Sequence, residues 1–100
     1  MTQVIWSPQA IRDIESIRAF IAQDSLAYAE LEARRIVAAV ERLQLFPESG
    51  RLVPERRDPA IREVVASPYR LVYRLRDGVA EIVTVFRASR QFPNYVPRSS

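Results

Sequence analysis

Asp77-Gly78, set between two alternating apolar runs, constrains this chain more than any other pair of residues in it. A two-residue loop of this type favours a type I′ turn, which needs positive φ at both positions and fixes the register of the flanking strands. Paired residue numbers should then sum to 155, so that Arg76 faces Val79 and Arg74 faces Glu81 as an opposite-charge cross-strand pair. Strict alternation predicts one face carrying Tyr69, Leu71, Tyr73, Leu75, Ala80, Ile82, Thr84 and Phe86, the side that should meet the rest of the core. The other face is predicted to carry Arg70, Val72, Arg74, Arg76, Val79, Glu81, Val83, Val85 and Arg87. Such a floor of valines ringed by guanidinium groups is more apolar than a solvated sheet face needs to be, and reads as a partly covered binding surface.

Upstream of the hairpin the period changes. Ile61 to Ala66 is rich in β-branched residues and is broken by Ser67-Pro68. Residues 47–60, with Pro47, Gly50, Pro54 and Pro59, read as a loop in which Gly50 frees the chain to turn. Before it, Ser7-Pro8 is a capping serine followed by a first-turn proline, and Ile11, Ile14, Ile17 and Ile21 form a stripe on a helix over 8–22. Asp24-Ser25 opens a second, longer helix with a seam of Ala29, Ala33, Ile36, Val40 and Leu43, halted at Pro47. Glu30 is spaced to pair with Arg34. Trp6, Tyr28, Phe46 and Tyr73 are expected to serve packing. A short apolar strand, Val4-Ile5-Trp6, precedes everything, and the tail from about residue 93 is expected to fray near its end.

Composition narrows the chemistry. Among 100 residues there is no Cys, no His and no Lys, and all fifteen basic residues are arginine. Thiolate nucleophiles, His or Cys metal ligands and a Ser-His-Asp triad are thereby excluded, and arginine does not deprotonate to act as a base. No metal and no cofactor is expected. Residues 1–50 hold five arginines against seven acids, whereas residues 51–100 hold ten against five. A basic second half suggests an anionic partner, nucleic acid or an acidic protein. No apolar run approaches the ~20 residues of a membrane span and no signal-peptide pattern is present, so a cytoplasmic protein without a membrane partner is expected.

Several ordered segments resemble the RelE/ParE superfamily of bacterial type II toxin–antitoxin toxins. Trp6-Ser7-Pro8-Gln9-Ala10 with Asp13-Ile14 is similar to the family's opening strand and helix cap, and Phe46-Pro47-Glu48-Ser49-Gly50-Arg51 to its helix-ending turn. Arg62-Glu63, then Ser67-Pro68-Tyr69-Arg70-Leu71-Val72-Tyr73-Arg74, resemble its central strands, and Val83 to Arg90 its last strand. The resemblance implies one α+β domain over residues 1–100: an N-terminal strand, then an antiparallel two-helix hairpin packed on one face of a mostly antiparallel, four-stranded, twisted sheet.

It also implies two activities. Ribosome-dependent mRNA endoribonucleases of the RelE branch resemble this chain at Arg70, but commonly add Lys or His to move protons, and this chain has neither. Arg70 and Arg87 could hold a phosphate here, leaving Glu63 or Tyr95 as proton carriers. The ParE branch needs no catalytic residues: it poisons DNA gyrase by binding and is neutralised by a cognate antitoxin, often in plasmid-stabilisation modules. On that reading Arg70, Arg74, Arg76, Arg87 and Arg90 meet carboxylates of an acidic or amphipathic antitoxin segment or of the target, and Val72, Val83 and Val85 accept apolar side chains. The ParE reading is the expected one, with ribosome and mRNA as partners of the alternative. Homodimerisation is left open. So is a nucleic-acid-binding module without poison activity, whose binding would fall steeply with salt.

Overall fold

The computed structural model describes residues 1–97. Along the chain run β1 (Gln3–Trp6), α1 (Pro8–Ala22), α2 (Leu26–Glu41) and a 3₁₀ turn (Arg42–Gln44). There follow β2 (Arg51–Leu52), β3 (Ile61–Ala66), β4 (Tyr69–Arg76) and β5 (Val79–Arg87). The sheet has five strands in the order β1-β5-β4-β3-β2, antiparallel except that β1 lies parallel to β5. The expected four-stranded sheet therefore gains a two-residue edge strand, Arg51–Leu52, too short to show a period in the sequence. Among the described residues no helix is long and apolar enough to cross a membrane.

Ser7 caps α1, accepting from the Ala10 amide at 3.0 Å, and Ser25 caps α2, accepting from the Tyr28 amide at 3.1 Å. The face of α1 that meets the sheet runs through Ala10, Ile14 and Ile17, while Ile11 turns outward at 43% exposure. From α2, Ile36 and Val40 complete the inner core with Leu43, against Tyr69, Leu71, Tyr73, Ala80, Ile82 and Val85. Full burial of a side chain such as Ile36 contributes about 1.5–3 kcal/mol. Trp6 and Tyr73 pack as expected, but Tyr28 and Phe46 stand 53% and 61% exposed. Glu30 pairs not with Arg34 but across the helical hairpin with Arg18, at 3.2 Å.

The turn at Asp77-Gly78 has positive φ at both residues, +51° and +76°. Register sums to 155 from Arg76–Val79 through Tyr73–Ile82, then shifts by one residue, so that Val72 faces Thr84 and Arg70 faces Phe86. A β-bulge at this point reverses every later side chain of β5. Phe86 thus joins Val72 and Val83 on the outer face, and Val85 joins the inner core. Four placements expected from strict alternation are corrected by this: Thr84 and Phe86 turn to the face of Arg70 and Val72, and Val85 and Arg87 leave it. The bulge lies where β5 outruns β1, and side chains close that bare edge. The Ser7 hydroxyl donates to Val83 O at 2.9 Å, and Asp13 accepts from the Val85 amide at 3.0 Å.

Candidate functional site: a covered arginine face

The outer sheet face is not bare. The chain after β2 and the tail fold over its upper half, so that Val53 and Val96 bury Ile61, Val72, Val83 and Phe86. Val72 is 0% and Val83 8% exposed, and neither presents the apolar surface to a partner that alternation suggested. Tail residues Phe92 to Val96 are anchored here; residues 98–100, where fraying was also expected, lie outside the described residues.

Arg70 lies at the centre of this cover. Its Nε donates to Glu63 Oε1 at 2.6 Å, while Nη1 and Nη2 donate to the two carboxylate oxygens of Glu55 at 3.2 and 2.9 Å. Its guanidinium carbon lies 5.3 Å from the ring centre of Phe86 and 5.2 Å from that of Phe92, and those two rings meet edge-to-face. Glu63, with no exposed side-chain surface, also accepts from Arg51 Nε at 2.6 Å. Next door, Arg56 donates to Val96 O from Nε and Nη2, at 3.3 and 3.1 Å, and covers Phe92 at 4.9 Å. Both carboxylates able to hold a cation are therefore taken up by guanidinium groups, and among the described residues no cluster of three or more potential metal ligands occurs.

Charge follows geometry. Hydrogen bonding to Arg70, opposed by partial burial, holds the Glu55 carboxyl below its ordinary value of 4.5, and the same bonds push the Arg70 guanidinium further up. The stability Glu55 contributes is present above that ordinary value and is lost as pH falls through its lower folded value. Acidification through that lower folded value should therefore release the Glu55 side chain from Arg70 while the loop and the core stay in place. The Arg70 Nε–H signal followed by NMR would read this; a signal that moves only with global unfolding would contradict it.

The other arginines separate into two groups. Arg74 pairs with Glu81 at 2.8 Å as the turn register predicts, and Arg76 stands exposed beside the turn. Arg87 lies on the far side of the sheet, 5.9 Å from the ring centre of Tyr69, and with Arg90, Ile17 and Phe20 lines a groove of about 340 Å³ beside α1. Tyr95 leads elsewhere again: its hydroxyl lies 2.9 Å from Thr84 Oγ1, which donates to Asp13 at 2.5 Å. Arg70 and Glu63 are brought together, then, but Arg87 and Tyr95 join neither.

Sequence reasoning missed Glu55, Arg56 and Arg51, along with Val53, Phe92 and Val96, which form the cover. The visible signal was the apolar spacing of Phe92, Pro93 and Val96 in a tail otherwise read as loose.

A two-helix layer on a five-stranded sheet, with arginines on both faces, defines a small α+β domain. Residues 4–92 match the family described as ParE toxin of type II toxin-antitoxin system, parDE. The chain belongs to this family, and it is a toxin of the type II toxin–antitoxin class, which implies an antitoxin partner. "Toxin RelE2" of Caulobacter vibrioides is 37% identical over 91 residues, covering 90% of this chain and 99% of that protein. A solved structure, "Chromosomal ParDE TA system from P. aeruginosa", shares the fold with a TM-score of 0.71 at 21% identity, covering 87% of this chain and 96% of that one.

Proposed function

We propose that this toxin acts by binding, with DNA gyrase as its target, and that a cognate antitoxin neutralises it by covering its exposed guanidinium groups. One observation carries the reading: the residues a ribonuclease would need are dispersed. Arg70 is tied to Glu55 and Glu63, Arg87 is on the opposite face, and the Tyr95 hydroxyl is engaged at Thr84. A phosphate held by both arginines, beside a group able to take the proton of the attacking ribose 2′-hydroxyl, has no common position among these atoms. Antitoxin carboxylates are then assigned to Arg74 and Arg76 on the outer face and to Arg87 and Arg90 in the groove, while Val72, Val83 and Val85 stay internal.

The purified toxin is expected to inhibit gyrase supercoiling and accumulate cleaved DNA, and to leave mRNA intact in a translating extract. A second reading, ribosome-dependent mRNA cleavage, is favoured by the name of the Caulobacter relative and by the 2.6 Å contact that sets a carboxylate against Arg70. Codon-specific cuts in that extract, with gyrase untouched at high toxin excess, would establish it instead.

A further inference from the structure

We propose that the outer edge of the Arg70 guanidinium is a carboxylate-binding site which the protein's own Glu55 occupies when no partner is present, and that a partner's carboxylate takes Glu55's place. The proposal rests on the reading that the outer face meets a protein partner, and it names the chemistry by which it does so.

Everything that orients Arg70 is fixed independently of Glu55. Nε is held by Glu63, whose side chain has no exposed surface, and Phe86 and Phe92 stack against the guanidinium. What remains is a two-pronged donor, Nη1 and Nη2, the arrangement that matches a carboxylate bidentately. Its present occupant is of a different kind from Glu63. Glu55 stands on a surface loop with a side chain 38% exposed, two residues before Arg57, whose φ of +53° lies in the left-handed region that a non-glycine residue rarely adopts. The loop keeps its own ties through Arg56 to Val96 O and through Asp58 to the Ala60 amide, so Glu55 can swing out without the loop leaving. The fork is therefore preorganised and its ligand exchangeable.

The site also indicates what it prefers. Glu63 sits directly behind the guanidinium, so a ligand of one negative charge is better matched than a phosphate dianion. Phe92, with its ring against Arg70, offers an apolar wall for the ligand's neighbour. An acidic peptide with an adjacent aromatic residue fits both.

The test follows the Arg70 Nε–H signal by NMR while acetyl-Glu-Glu-Phe-amide is titrated into the full chain and into Glu55→Gln, which removes the internal competitor and keeps its shape. If Glu55 occupies the fork about nine-tenths of the time, the variant should bind the peptide about tenfold more tightly, because apparent affinity scales with the competent fraction. Glu41→Gln, an exposed change on α2 that alters net charge equally, should bind as the unaltered chain does. Equal gains in both variants would assign the effect to overall charge and overturn the proposal. So would an unmoved Arg70 signal in Glu55→Gln, or displacement of the peptide by the dinucleotide uridylyl-uridine, which would make the site a phosphate receptor. None of these outcomes depends on gyrase or the ribosome, so the target reading stands or falls separately.

Discussion

Replacing Arg70 with alanine is expected to lower the free energy of unfolding by about 3 kcal/mol, whatever it does to toxicity. The cost comes from what is left behind. Glu63 would keep its charge with no exposed side-chain surface and only Arg51, itself 63% exposed, as a partner. Removing one member of a buried pair leaves the other uncompensated and typically costs about 3–5 kcal/mol; the surviving Arg51 contact puts this case at the lower end. Glu55 would lose both its bonds, and Phe86 and Phe92 a stacking partner. Lysine should restore little, because a single ammonium cannot bridge Glu63 and Glu55 as the guanidinium fork does. Replacing Arg70 and Glu63 together by methionine should cost markedly less than the two single changes added, since no buried charge is then stranded. Urea denaturation with unchanged m-values measures all of these; a loss under about 1 kcal/mol for Arg70→Ala would show that the clamp is not the structural tie described. Loss of toxicity in that variant therefore has an ordinary explanation in folding, and does not by itself make Arg70 catalytic.

The clamp also shows where the sequence stops being legible. Local chemistry was readable: Ser7-Pro8 opens α1, Asp77-Gly78 makes the turn, and Arg74 meets Glu81, because each depends on residues close in the chain or joined by a two-residue loop. The inner core followed from two periods, 3.6 in the helices and 2 in the strands. Reading failed beyond Tyr73–Ile82, where a bulge moves Val85 and Arg87 to the other face. Nothing in Val83-Thr84-Val85 announces a bulge. Its stabilising partners, Ser7 and Asp13, lie more than seventy residues away. The site failed for the same reason. Arg70 was identified, but its ligands come from a proline-bounded loop and from β3, and its covering ring from the tail, contacts that only the closed fold creates.

Gly50→Ala is the other substitution with a large expected effect, and its cause is not the one its position suggests. A glycine after Pro47 reads as freedom to turn, yet Gly78 is the glycine with positive φ among the described residues. Gly50 is required by proximity. A Cβ there would lie 2.5 Å from Tyr73 Oη and 2.7 Å from the backbone oxygen of Glu63. Neither neighbour can retreat: Tyr73 is fully buried, and Glu63 O belongs to the β3 backbone. The Gly50 amide donates to Tyr73 Oη at 3.0 Å, and that hydroxyl donates to Pro47 O at 2.7 Å, so a displaced 47–51 segment loses both bonds. Overpacking together with an orphaned buried hydroxyl should cost about 3 kcal/mol. Tyr73→Phe alone should cost about 1–2 kcal/mol for the bonds it removes. The double variant separates the causes. It removes the contact with Oη but keeps those with the ring carbon Cε1 and with Glu63 O, both at 2.7 Å, so it should remain well below either single Tyr73→Phe or the unaltered chain in stability, yet lose less than the two single costs combined. If Gly50→Ala melts with the unaltered protein, the close approach of this turn to β3 is wrong. Arg51, the next residue, would then lose its reason for lying against Glu63, and the carboxylate behind Arg70 would lose its second guanidinium.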